Sequence, residues 1–330
     1  MAPTKLLERK TDGFHEFYDL TLNIIEGTPL RIIQQDLSIT RKRPPKVKLS
    51  SVTGKIVELS ISASLIKYLT YHGEPKEVCP SRIYHTQLIC SHSNPTSLSM
   101  LQGLYFETKC IGSSAGGDGT YDLPRAKKTG NKLTDHLRID DAIERFAYVT
   151  KQLGLIVDQK FTQVHNKLLW QDDTRKWEIP IYIEGTSDFF SPIKTEAYEY
   201  EVANIDLKLT SDRDSCFPPF CWGCPEKLDL TQAVMYDVLF DLPFIFLVFD
   251  YRKDNPWWKD YPIITNVDDP NPQFAQIARL RHKELWQNIR WVAGQILFWE
   301  ASDWPEEPSK EACKGCPILD CSKRNLTIFT

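Results

Sequence analysis

The 330-residue chain has no apolar run approaching the ~18 residues of a membrane span. Its best run, Phe244 to Phe249, is too short even for a core helix and reads as a buried strand. The N-terminal Met1-Ala2-Pro3-Thr4-Lys5 opens no apolar segment, so no secretory signal is expected, and a cytoplasmic protein without membrane contact is. Neither sign of charge prevails: 40 Lys and Arg face 44 Asp and Glu, for a net charge of −4 and a pI near 6.0. That excludes a polybasic coat for nucleic acid; any nucleic-acid contact needs local basic patches. There is no internal repeat, and the seven histidines form no His-x-His or His-x-x-His pair. His72, His85 and His165 therefore read as ordinary structural residues. Apolar and charged fractions of 42% and 25% are ordinary, which excludes a wholly disordered chain. The length suits one large domain or two modest ones.

Cysteine is abundant. Nine cannot all pair, and in a reducing compartment they point to metal ligands, catalysis or core packing. Cys79, Cys90 and Cys110 are scattered, Cys216, Cys221 and Cys224 lie close together, and Cys313, Cys316 and Cys321 form a second tight group. Cys90 and Cys110 are expected in the core. The middle group reads as packing or loop residues, with a zinc site as the lesser alternative.

Residues 17–60 look β-rich, with short apolar runs at 20–25, 30–33 and 56–61, interrupted by a basic loop from Arg41 to Lys48 containing Pro44 and Pro45. From about residue 62 the pattern turns helical, and Leu65, Leu69 and His72 could share a face. A short helix is expected after Cys79-Pro80, since proline is tolerated at the first helical position. A further helix is expected over 97–111. A glycine-rich loop (112–119) and a basic stretch from Arg125 to Lys132 follow, then a helix over 134–153 with Thr134 as N-cap. Segments 161–170 and 177–184 suggest a hairpin with Asp172 and Asp173 in the turn, and 198–209 one or two strands. Asp229 can cap a helix running to about Phe240. Leu285, Ile289, Val292, Ile296 and Trp299 step by 4, 3, 4 and 3, as one face of a helix over roughly 274–300 requires. This order suggests an α/β or α+β fold around one sheet.

The chemistry concentrates in three places. In Ile205-Asp206-Leu207-Lys208, alternation on a strand puts Asp206 and Lys208 on one side and Leu207 in the opposite layer. A preceding strand ending at Asp188 would bring a second carboxylate beside Asp206. Such a pair repels unless a divalent cation joins it, and oxygen donors of this kind suit Mg²⁺ or Mn²⁺. Lys208 could hold a water and stabilise charge on a phosphate, as metal-assisted phosphodiester hydrolysis requires. Alternating Asp and Lys also describe the solvated face of any strand, but the flanking Ile205, Leu207 and Leu209 argue for a place inside a sheet. Gln232 and Tyr236, four apart, share one helix face and could touch a phosphate or a base. Gly103 shares a face with Glu107; glycine costs about 1 kcal/mol inside a helix, so a close helix–sheet approach is expected there, which could deliver Glu107 to a metal.

In this order the motifs resemble those of the PD-(D/E)XK nucleases of the RecB type: Gly103 to Glu107, Asp188, Asp206-Leu207-Lys208 and Gln232 to Tyr236. Glu107 stands where many members carry His. The tracts 101–108 and 121–130 are also similar to phage-type RecB-like exonucleases. The resemblance covers roughly residues 60–330. It implies an α/β restriction-endonuclease-like core with a mixed central sheet flanked by helices (61–330); residues 1–60, which it does not cover, read from their pattern as a small β-rich region. It implies a Mg²⁺- or Mn²⁺-dependent deoxyribonuclease, more an exonuclease than an endonuclease, of a phage or prokaryotic cell. Glu107, Asp188, Asp206 and the Leu207 carbonyl would hold the cation. Asp188, Asp206, Lys208, Gln232 and Tyr236 would form the catalytic set. Arg125, Lys127 and Lys128 would track DNA, the partner, and self-association is left open. Iron–sulfur members carry one upstream and three C-terminal cysteines, which here are Cys79, Cys313, Cys316 and Cys321. Four thiolates suit a 4Fe–4S cluster or a structural zinc. A non-catalytic nucleic-acid-binding subunit with a degenerate nuclease fold is the rival reading.

Overall fold

The computed structural model describes residues 38–39, 45–71, 73–92, 97–112, 123–125, 130–217, 221–252, 257–307, 309–313, 316–318 and 321. The apolar runs expected at 20–25 and 30–33, His72, Lys127 and Lys128 lie outside these residues. The chain is α/β. It begins with β1 (Ser38–Ile39), β2 (Val47–Leu49), β3 (Ile56–Ile61), α1 (Ala63–Leu69), β4 (Thr70–Tyr71), β5 (Glu74–Pro75) and α2 (Pro80–Ile83). Helices α3 (Leu98–Ile111) and α4 (Thr134–Leu153) precede β6 (Thr162–Leu169), β7 (Ile181–Lys194) and β8 (Glu199–Thr210). Then come α5 (Thr231–Phe240), β9 (Phe244–Asp250), β10 (Trp257–Ile263), α6 (Pro272–Ala301) and α7 (Lys310–Cys313). A mixed eight-stranded sheet has the order β1-β6-β7-β8-β9-β10, with β3 pairing both β2 and β7.

Two compact units are each assembled from separate stretches of chain. The first takes 1–42, 97–166 and 186–282. In it β8 lies antiparallel to β7 (Phe189 opposite Ile205) and parallel to β9 (Ile205 opposite Ile245, Asp206 opposite Phe246). Alternation then sorts the side chains. Ala203, Ile205 and Leu207 join Ile245, Leu247 and Phe249 on one face, under Tyr105, Phe106, Ile139, Phe146 and Val149 of α3 and α4. Phe249 meets the rings of Phe106 and Phe146 at 5.3 and 5.9 Å. Each such side chain contributes roughly 1.5–3 kcal/mol when fully buried. The other face carries Asn204, Asp206 and Lys208 with Phe244 and Phe246, and Tyr236 of α5 meets Phe244 there at 5.8 Å.

The second unit takes 43–96, 167–185 and 283–330. Its β2 and β3 form an antiparallel pair, and β3 runs parallel to the start of β7 (Leu59 opposite Ile181, Ile61 opposite Ile183). Ser62 caps α1 through the Leu65 N–H at 3.4 Å. Leu285, Ile289, Val292, Ile296 and Trp299 of α6 are all buried, as their spacing requires. Arg290 binds Asp172 and Asp173 at 2.9 Å each, so that turn is tied down by α6.

Several expectations need correction. The end of the basic loop, Val47 and Lys48, is strand, within β2 (Val47–Leu49). β7 does not end at Asp188 but continues to Lys194, since Phe189, Phe190 and Ile193 are buried beyond it. Thr134 is the first helical residue; Leu133 holds the cap position and no side chain caps the helix. Leu230 precedes α5 in the same way, although Asp229 accepts the Thr231 N–H at 2.9 Å. A Cβ at Gly103 would meet nothing within 4 Å, so no close helix–sheet approach explains that glycine.

Candidate active site

The polar face of β8 gathers the expected residues within the first unit. Asp206 is 1% exposed, and Lys208 forms an ion pair with it. The Lys208 ammonium also stands 5.7 Å from the Phe246 ring centroid. Asp188 comes from the adjacent strand, and its Oδ2 accepts the Leu207 N–H at 2.7 Å. The Leu207 side chain belongs to the core on the opposite face. From α5, Gln232 Nε2 donates to Asp206 Oδ1 at 2.5 Å. One turn later Tyr236 donates its hydroxyl to the Thr186 carbonyl at 2.6 Å. Glu107 of α3 accepts from Gln163 Nε2 at 2.6 Å.

Electrostatics bind this group together. Burial, then the charges of Glu107 and Asp206, push the Asp188 carboxyl well above the usual carboxylate range, against the pull of Lys208 and the Leu207 N–H. Burial pulls Lys208 down, but Asp206, Asp188 and Glu107 outweigh it, so its pKa rises and it stays an ammonium. Burial, then Asp206 and Asp188, raise the Tyr236 phenol, which remains a neutral donor. Such a set, with three carboxylates around one cation, has the donor chemistry that suits a hard divalent metal. Asp206 Oδ2 is buried and takes the Lys208 ammonium, while Oδ1 takes Gln232. Among the described residues no group of three or more His, Cys, Asp or Glu is set to hold a metal as it stands; Asp206 is turned onto Lys208 and Gln232 instead.

Gln163 was missed by sequence reading. It lies in no motif, and its bond to Glu107 spans 56 residues. The buried Ser187 and Asn204, bonded at 2.7 Å in the same sheet, were missed likewise. Of the expected DNA-contacting residues, Arg125 is exposed and bridges Lys132 in an isolated antiparallel pair.

The cysteines divide differently from expectation. Cys216 and Cys224, read as packing or loop residues, form a disulfide with Cα atoms 5.0 Å apart, while Cys221 between them is buried. This turn is tight: a Cβ on Gly223 would lie 2.3 Å from the Asp214 carbonyl oxygen. Trp222 packs on Phe246 at 5.6 Å. Cys90 is exposed rather than core, on a backbone with φ 53°. Cys110 does pack against the core, and burial followed by the Glu107 charge pushes its thiol up. In the second unit, Cys79, Cys313, Cys316 and Cys321 line one narrow cavity with Ser81, Arg82, Ala312 and Ile318. Four thiols around one cavity fit a cluster or zinc in donor chemistry.

No family model matches the chain, and no curated protein or solved structure matches it either. No helix among the described residues is long and apolar enough to cross a membrane.

Proposed function

We propose that this protein is a Mg²⁺- or Mn²⁺-dependent deoxyribonuclease with a PD-(D/E)XK core of the RecB type, acting as an exonuclease. The observation that carries the reading is the meeting of Asp188 from β7 with Asp206 and Lys208 from β8 on one sheet face, backed by Glu107. Glu107, Asp188, Asp206 and the Leu207 carbonyl would hold the cation. The bound cation would polarise a phosphodiester and lower the pKa of a water. Lys208 stays protonated beside Asp206, so it can orient that water and stabilise charge growing on the phosphate. Gln232 holds Asp206 in place, and Tyr236 fixes α5 to β7 through the Thr186 carbonyl. Arg125, Lys127 and Lys128 would contact the DNA backbone.

The cysteine-lined cavity supports a 4Fe–4S cluster held by Cys79, Cys313, Cys316 and Cys321, with structural zinc as the alternative. Protein purified without oxygen should be brown with about four irons per chain. One zinc in a colourless sample would replace the cluster by zinc.

The deciding experiment is digestion of end-labelled single- and double-stranded DNA with Mg²⁺, Mn²⁺ or a chelator. Cleavage that requires the cation and is lost in Asp206→Asn supports the reading. DNA binding without cleavage under any cation would leave the non-catalytic subunit in its place.

A further inference from the structure

Arg82 stands in the wall of the cavity that Cys79, Cys313, Cys316 and Cys321 line. Among the described residues of that wall it alone carries a fixed charge. Its place is set from both sides. Cys79 is the N-cap of α2, and Arg82 lies three residues later in the turn that the Ile83 N–H closes onto the Cys79 carbonyl at 3.1 Å. On the far side, Arg82 Nη1 donates to the Ala312 carbonyl at 2.6 Å, and the next residue is Cys313. That acceptor is itself held. The Ala312 N–H donates to Ser309 Oγ at 3.0 Å, and the Cys313 N–H donates to the Ser309 carbonyl at 2.9 Å. One guanidinium therefore joins the segment bearing the upstream cysteine to the segment bearing the C-terminal ones.

A neutral amide could also donate to a carbonyl. What the guanidinium adds is charge. Cysteines bind a metal as thiolates. Four thiolates bring four negative charges, of which a zinc ion or an oxidised 4Fe–4S core offsets about two. The remainder would lie beside Ala312 and Ile318, both buried, where negative charge is costly unless it is paired. Arginine keeps its charge at every working pH, so it can supply the opposite sign there.

We infer that Arg82 is the counter-charge of the metal centre held by the four cysteines: fixed to the Ala312 carbonyl, it offsets the negative charge that the thiolates leave over. This rests on the proposed four-cysteine centre. The test uses full-length protein purified without oxygen, as wild type, Arg82→Gln and Arg82→Lys. Glutamine keeps an N–H donor without the charge; lysine keeps the charge without the planar fork. Iron per chain is counted, and the midpoint potential is read from bleaching of the brown colour in a redox titration. A nearby positive charge favours the added electron. Arg82→Gln should therefore lower the potential by about 59 mV or more, a tenfold change for one electron, and Arg82→Lys by less than roughly half of that. An unchanged potential in Arg82→Gln, or an equal fall in both variants, would overturn the inference and leave Arg82 as a strap. If Arg82→Gln holds no iron, iron retained by Arg82→Lys supports the counter-charge, and iron lost from both overturns it. A colourless wild type holding one zinc would remove the cluster but not the centre. Zinc should then pass to a chelator at least tenfold more readily from Arg82→Gln and no more readily from Arg82→Lys. Release that is alike in all three proteins, or equally eased in both variants, would overturn the inference. A wild-type protein with neither metal would overturn the four-cysteine centre and this inference with it.

Discussion

Asp188 on β7 accepts the backbone N–H of Leu207, the middle residue of the Asp-Leu-Lys tripeptide on β8, at 2.7 Å. The bond sets one carboxylate beside the next, where their like charges repel. Burial and the charges of Glu107 and Asp206 then make ionised Asp188 unfavourable. Because its folded pKa is raised, the resulting penalty is absent below the unfolded carboxylate pKa of about 4 and grows as pH rises toward the folded value. Asp188→Asn should therefore be more stable than wild type in chelator at neutral pH, with the advantage vanishing below about pH 4. Thermal melts across pH in chelator would show this; an advantage independent of pH would remove Asp188 as its source.

The same substitution should abolish cleavage. A bound metal supplies several kcal/mol of transition-state stabilisation; losing about 4 kcal/mol slows a reaction roughly 10³-fold. Lys208→Ala should cause a similar loss in kcat, measured in single turnover with DNA binding retained. A variant within tenfold of wild type would take its residue out of the chemistry.

Tyr236→Phe removes the hydroxyl that meets the Thr186 carbonyl. A net loss of about 1 kcal/mol in stability is expected, read by urea unfolding. The cation concentration for half-maximal cleavage should not change, since Tyr236 acts on the strand and not on the carboxylates.

Asp172 lies at the turn before β7. Burial pushes its carboxyl up, but the Thr174 N–H and hydroxyl, then Arg290 and Trp177, outweigh that and hold it at about 2. A depressed folded pKa contributes stability that is present above about pH 4 and lost as pH falls toward 2. Asp172→Asn should melt lower than wild type at neutral pH, and the gap should close between pH 4 and 2. A gap that persists at pH 2 would assign the effect to lost packing.

Cys216→Ser opens a ring of nine residues. In the chain-entropy model a closure of that size contributes about 2–3 kcal/mol. Denaturation of oxidised protein with and without a dithiol should reproduce that difference in wild type and show none in the variant.

Long periodic elements were legible in the sequence. The apolar steps of α6 and the continuous run of β9 appear where their patterns put them, because one buried face suffices to specify each. The meeting of Asp188 with Asp206 was legible as well, since alternation on neighbouring strands is a local rule. β10 was not legible: Trp257–Ile263 mixes Lys259, Asp260 and Pro262 into the run, and its seven-residue pairing with β9 is what holds it as a strand. The bond of Gln163 to Glu107 carries no local sign, because its partner lies on a distant helix. The Cys216–Cys224 bond was hidden by Cys221, which offered the same sequence neighbourhood a second partner.

The alternation along β8 makes the protein intolerant of small changes in chain length. Core and polar face share one strand, with Ile205 and Leu207 packed on one side and Asp206 and Lys208 on the other. Inserting a single residue after Ala203 would exchange the two sets: a carboxylate and an ammonium would enter the apolar layer and a leucine would face the second carboxylate. Conservative point changes in this strand alter one contact each. A three-nucleotide insertion in its coding sequence would exchange the whole interior for the whole site, so natural length variation should be confined to the loops at its ends.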